Sequence, residues 1–250
     1  MTATSAKPLR APGGVGLFGG TFDPIHLGHL RAAEETLRAL QLDRVVFVPS
    51  AEPPHKTGTE TEPMAPAVDR MQWLRLAVKA HPKFEVDAIE LTRPGPSYSV
   101  DTLRALAAKG EARPPVFIIG CDAFRLIAGW REPEALFALA DFAVLSRPPS
   151  NRGALAQWIP EALACAFDFS SDGRSALHRS AGTRLLQLEI DALDISSSEV
   201  RAALARNEPA SAWLPPAVHC AVIESGHYRG ANECAEAGSV TVHGRNERHG

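Results

Sequence analysis

Apolar and polar positions along the chain alternate between two rhythms, short apolar runs and longer stretches with helical spacing. Val15–Gly20 reads as a buried strand, and Leu30, Ala33, Leu37 and Leu40 then recur as one face of a helix over Gly28–Leu40. Arg44–Pro49 is a strand built on Val45, Val46, Phe47 and Val48. Further strands are expected at Phe84–Leu91, Val116–Gly120, Phe142–Ser146 and Leu185–Ile190. Further helices are expected at Asp69–Ala80, at Val100–Lys109 with Gly110 as its stop, at Ala123–Gly129, and at Pro133–Ala140. Leu155–Phe167, with a break or kink near Pro160, Ser198–Arg206 and Ala217–Glu224 complete the helical set. Ser50–Pro66 is rich in Pro, Thr and Glu and reads as a mobile surface loop.

This alternation predicts an α/β fold, a Rossmann-like open parallel sheet flanked by helices. No internal repeat or long linker divides it, so a single domain over residues 15–228 is expected. Residues 1–14 and 229–250 lack apolar periodicity and are expected to be flexible tails, with His243 and His249 as solvated tail residues.

Composition narrows the function classes. An apolar fraction of 45% is ordinary for a globular chain, and a net charge of −3 gives no global basic field for nucleic acid. A small anionic ligand remains open, because local arginines and helix ends can bind one. The four cysteines, Cys121, Cys165, Cys220 and Cys234, are scattered without a C-x-x-C, which fits a reducing cytoplasm rather than a disulfide framework or a zinc site. No apolar run is long enough to span a membrane, and the first residues hold no signal-peptide core.

The string from Gly19 to His29, GGTFDPIHLGH, falls where the first strand hands over to the first helix. In an open parallel sheet ligands bind there, at the carboxyl ends of the strands. Glycines admit a phosphate to the main chain, helix-start N–H groups attract anions, and histidines three positions apart share a helix face. Imidazoles suit an oxygen that gains charge at a phosphorus centre. Two histidines could instead be surface residues or metal ligands, but no partner set for zinc lies nearby. A G-x-G-x-x-G match at Gly14–Gly19 lies mostly inside the strand and is set aside; no P-loop sequence is present.

His26-Leu27-Gly28-His29 resembles the signature of the nucleotidyltransferase superfamily that shares its fold with class I aminoacyl-tRNA synthetases. Asp194–Arg201, DISSSEVR, is similar to that superfamily's I-S-S-T-x-I-R motif, with Ser198 for Thr and Val200 for Ile. Alone it would read as a capped helix with a surface arginine; serines at a helix start also offer hydroxyls to phosphate, and Arg201 one turn on can fork onto it. Four ordered stretches resemble the bacterial nicotinate-nucleotide adenylyltransferase family: Phe18–Leu30, Val48–Lys56, Gly95–Leu103 and Ile118–Phe124 with Trp130 and Phe142–Pro148. The match runs from Val15 to Tyr228, with Ser99 for Thr as a mild departure.

The resemblance implies adenylyl transfer from ATP to nicotinate mononucleotide, with Mg²⁺ accompanying ATP. His26, His29 and Arg201 would be catalytic. Gly19, Gly20, Thr21, Phe22, Lys56, Asp122, Ser197 and Ser198 would serve ATP. Ser97, Tyr98, Ser99, Asp101 and Trp130 would serve the acceptor, with Trp130 stacking on a pyridine ring. Each has a plainer alternative: Lys56 as solvated charge, Tyr98 and Trp130 as packing, Asp122 as a helix cap. Arg147 is either surface charge or an approach to phosphate and is not counted in the site. Competing readings are a sister transferase for nicotinamide mononucleotide, phosphopantetheine or a cytidylyl acceptor, and a non-catalytic nucleotide sensor. A cytoplasmic monomer or small homo-oligomer, without nucleic-acid or membrane partners, is expected.

Overall fold

The computed structural model describes residues 13–53, 65–110, 113–147, 153–191 and 193–228. One eight-stranded sheet organises them, in the order β3-β2-β1-β4-β5-β8-β7-β6. The strands are β1 (Val15–Gly20), β2 (Arg44–Pro49), β3 (Phe84–Val86), β4 (Val116–Gly120), β5 (Asp141–Ser146), β6 (Phe167–Phe169), β7 (Ser175–His178) and β8 (Arg184–Glu189). β1 to β5 and β8 run parallel. β6 and β7 form an antiparallel margin on β8. Strand order turns around between β1 and β4, which opens a crevice at their carboxyl ends.

Period-two alternation along β2 divides the interior. Val45 and Phe47 join one buried cluster, Val46 and Val48 the other, so each sheet face has its own core. A continuous apolar run suits a parallel strand covered on both faces. The helices are α1 (Leu27–Ala39), α2 (Ala67–Val78), α3 (Ser99–Ala107), α4 (Cys121–Arg125), α5 (Pro133–Leu139), α6 (Leu155–Trp158), α7 (Glu161–Ala164), α8 (Ser197–Ala205) and α9 (Pro216–Ser225). No helix among the described residues is long and apolar enough to cross a membrane.

The α/β architecture agrees with the sequence pattern, with four differences. The expected helix Leu155–Phe167 is two single turns, α6 and α7, parted at Ile159–Pro160, and Phe167 opens β6 instead. Proline at 160 has no N–H to continue a helix. The sheet is mixed rather than wholly parallel, because the short β6–β7 hairpin was not anticipated. Phe84–Leu91 is a strand only as far as Val86; past it the chain turns, with Ile89 N–H donating to Asp87 Oδ1 at 2.9 Å. The expected helix Ala123–Gly129 starts two residues earlier, at Cys121, and its second half is a 3₁₀ turn, Ile127–Gly129. The terminal segments 1–12 and 229–250, and the part of the Ser50–Pro66 loop that bears His55 and Lys56, lie outside the described residues.

Candidate active site

Two cavities open at the crevice and share Phe18 and Gly120 as lining residues. The smaller, about 330 Å3, is lined by His26, His29, Asp122, Arg147 and Ser197 among others. The larger, about 550 Å3, holds Gly19, Gly20, Thr21, Ser97, Tyr98, Ser99 and Trp130 along its wall.

His26 is the N-cap of α1 in extended backbone, and its N–H donates to His29 Nδ1 at 3.3 Å. That bond leaves the His29 proton on Nε2. The two rings lie with centroids 3.7 Å apart and planes tilted by 31°. The glycine between them is a steric requirement. A Cβ on Gly28 would stand 3.0 Å from His26 Nδ1, so a side chain there would push the ring away. His26 Nδ1 is buried and has no protein hydrogen-bond partner. Burial, and then the Arg147 guanidinium, lower the His26 pKa to about 4. Burial, His26 and Arg147 push His29 well below its ordinary value. Both rings are therefore neutral at pH 7 and present N–H donors rather than charges.

The loop before them is held from three directions. Phe22 takes a left-handed backbone (φ 49°), is buried, and packs edge-on against His29, ring centroids 5.1 Å apart. Asp23, 2% exposed, accepts from the Tyr228 hydroxyl and from Ala65 N–H. Arg70 is fully buried, and its guanidinium donates to the carbonyls of Thr21, Ser50 and Ala65. Burial lowers its pKa from the ordinary arginine value, and Asp23 opposes that shift.

The late motif joins the same loop. Ser196 caps α8, accepting from Glu199 N–H at 3.2 Å, while Glu199 accepts from Ser196 N–H at 2.8 Å. Ser197 Oγ donates to the Pro24 carbonyl at 3.0 Å. Arg201 Nη1 donates to the Asp23 carbonyl at 2.9 Å, and Nη2 to Ser198 Oγ at 3.1 Å. The paired histidines and the serine–arginine turn are thus neighbours. Ser197 lines the smaller cavity; Ser198 and Arg201 do not, and Arg201 is bonded to the Asp23 carbonyl of the loop before His26.

On the other side, Tyr98 is the N-cap of α3, and Ser97 Oγ accepts from Ala51 N–H at 2.9 Å. Trp130 meets Phe117 edge-on with centroids 6.2 Å apart. Asp101 is not part of either wall; it lies on α3 with its carboxylate 3.8 Å from Arg104.

Sequence reasoning missed the supports. Arg70 falls within the expected helix Asp69–Ala80 with nothing to single it out, and nothing in a linear pattern joins Asp23 to Tyr228, 205 residues away. Arg147, left uncounted, lines the smaller cavity 4.0 Å from Asp122. Its signal was its place at the carboxyl end of a strand.

No group of three or more His, Cys, Asp or Glu side chains among the described residues is arranged to hold a metal ion. Among the described residues, Asp122 is the one carboxylate lining the smaller cavity.

Fold and site together define a nucleotidyltransferase, and residues 17–203 match the family model described as cytidylyltransferase-like. The chain is 42% identical over 204 residues to a "probable nicotinate-nucleotide adenylyltransferase" of Citrifermentans bemidjiense, covering 82% of this chain and 93% of that one. It is 37% identical over 217 residues to a protein of the same name from Thermus thermophilus, covering 86% and 99%. The structure of Plasmodium falciparum nicotinic acid mononucleotide adenylyltransferase complexed with NaAD shares the fold, with a TM-score of 0.64 at 17% identity, covering 87% of this chain and 98% of that one. The chain belongs to the cytidylyltransferase-like family and, within it, to the nicotinate-nucleotide adenylyltransferases.

Proposed function

We propose that the chain transfers the adenylyl group of ATP to nicotinate mononucleotide, giving nicotinate adenine dinucleotide and pyrophosphate. The observation that carries this reading is the meeting of a histidine-lined cavity with an aromatic one at Phe18 and Gly120. A triphosphate in the first and a pyridine nucleotide in the second would bring the acceptor phosphate onto the α-phosphorus. A phosphate oxygen of the acceptor attacks in line, the new P–O bond forms, and the α–β bridging bond breaks to release pyrophosphate. The attacker is already an anion, so no side-chain nucleophile is needed; alignment and charge stabilisation supply the catalysis.

His26 and His29 donate N–H groups to α- and β-phosphate oxygens. Arg147 adds a cation on the same wall, and Ser197 a hydroxyl. Gly19, Gly20 and Thr21 line the larger cavity and would face the adenylate where it meets the acceptor, with Phe22 behind them. Ser198 and Arg201 would act on the leaving end from behind Ser197, and Lys56, which lies outside the described residues, is proposed as a further phosphate ligand. Ser97, Tyr98, Ser99 and Trp130 receive the acceptor, and Asp101 supports their helix start. The family works with a divalent metal and ATP, and Mg²⁺ is the ion proposed. Asp122, on the wall of the smaller cavity, would help to hold it beside the triphosphate, where it would supply charge neutralisation. The protein would act in the cytoplasm on small molecules alone, as a monomer or small homo-oligomer.

The test is pyrophosphate release by the purified chain with ATP and a panel of nicotinate mononucleotide, nicotinamide mononucleotide and phosphopantetheine. Preferred turnover of the first supports the reading. Preferred turnover of phosphopantetheine, or ATP binding with no turnover of any, overturns it.

A further inference from the structure

Arg70, on α2, is fully buried, and every hydrogen bond that its guanidinium makes among the described residues ends on a main-chain carbonyl. Nη1 donates to Thr21, Nη2 to Ser50 at 2.7 Å, and Nε to Ala65 at 3.0 Å. A buried cation is a costly way to fill a core, and a bonded carboxylate would return part of that cost. The nearby Asp23 carboxylate instead accepts from Tyr228 and Ala65. The fork therefore serves geometry: it spans the turns that leave β1 and β2 at the crevice, where Thr21 and Ser50 line the larger cavity. The Thr21 carbonyl belongs to the peptide plane that leads into Phe22, which is in left-handed backbone. A residue with a side chain keeps that conformation only where its surroundings over-determine it. Two constraints do so here. Arg70 fixes the preceding peptide, and the Phe22 ring is wedged over Gly20, where a Cβ would stand 3.1 Å from Phe22 Cζ. The same ring meets His29 with centroids 5.1 Å apart and planes at 74°. Guanidinium, peptide, phenyl ring and imidazole thus form one continuous path.

We propose that Arg70 is a positioning residue for adenylyl transfer, setting the His29 ring through the Thr21–Phe22 peptide and the Phe22 side chain. This rests on the adenylyl-transfer reading above, in which His29 meets the triphosphate. Arg70 itself lines neither cavity and touches no substrate. A displacement of His29 by about 1 Å is enough to cost on the order of 100-fold in rate. Arg70→Lys keeps the charge, but one ammonium cannot reach three carbonyls set apart to fit a planar fork.

The experiment measures pyrophosphate release and thermal unfolding for the wild-type protein, Arg70→Lys, Phe22→Leu, the double variant and Leu163→Ala. Leu163 is buried in the core on the other sheet face and serves as the stability control. Well below its Tm, Arg70→Lys should lower kcat about 10- to 100-fold with KM for ATP little changed. Phe22→Leu removes the ring that meets His29 and should lower kcat by a similar factor, which reads the same path should Arg70→Lys fail to fold. The double variant should lose no more than the larger single loss, because both changes act along one path. Leu163→Ala should lower Tm and leave kcat at the wild-type value. Wild-type kcat in folded Arg70→Lys or in Phe22→Leu, losses that multiply in the double variant, or an equal fall in Leu163→Ala overturns the proposal while leaving adenylyl transfer intact. Wild-type protein that turns over neither nicotinate nor nicotinamide mononucleotide faults the parent reading and this one with it.

Discussion

The two cavities at the crevice are built by opposite means. The smaller is a set of polar groups fixed by backbone hydrogen bonds: His26 and Ser197 sit at helix starts, and Ser197 is tied to Pro24 across 173 residues. The larger is mostly apolar and aromatic, with Tyr98, Phe117 and Trp130 supplying flat surface. Developing charge needs donors that do not have to reorganise, while a neutral ring needs shape and little else. The difference teaches that damage to the first should appear in the chemical step and damage to the second in acceptor recognition.

The sharpest way to break that division is His26→Ala. Loss of one charge-stabilising donor should lower kcat about 100-fold or more, with acceptor KM little changed, in a pyrophosphate-release assay at saturating substrates. Equal turnover would remove the histidine from the chemistry. Acid should also act on the smaller cavity. The folded His26 pKa of about 4 lies below its ordinary 6.5, so the unfolded chain takes up the proton first as pH falls. Its contribution to stability is complete above pH 6.5 and is lost as pH falls toward 4, by up to about 3 kcal/mol. Urea midpoints at pH 7 and pH 4.5 check the sign, and His26→Asn should flatten the dependence. Next in size, Tyr228→Phe leaves buried Asp23 short of a donor and should cost about 1–3 kcal/mol, read as a lower Tm without altered choice of acceptor. Smallest, Trp130→Ala should raise acceptor KM about tenfold while leaving ATP KM unchanged. A kcat effect as large as that of His26→Ala would erase the distinction.

Much of this was legible in the sequence because it is local. β1 and β2 are apolar runs, and the first motif occupies the one place where such a sheet binds ligands. The late motif carries its own capping signature, Ser196 with Glu199. The hairpin β6–β7 was hidden because three- and four-residue strands with Leu177 and Asp168 facing solvent give too short an alternation to register. Arg70 was hidden for a different reason: its partners are carbonyls of three separated segments, and an arginine on a helix announces none of them. The role expected of Arg201 came from the resemblance of its motif; in the structure its guanidinium braces the Asp23 carbonyl.

The hydroxyl of Tyr228 on Asp23 has a consequence for synthesis. The ribosome releases the histidine signature early, yet the hydroxyl that braces it lies 205 residues further along the chain. A nascent chain that has displayed its first motif still lacks this clamp on the loop until Tyr228 has emerged, so ordering of the phosphate-handling end is deferred until then.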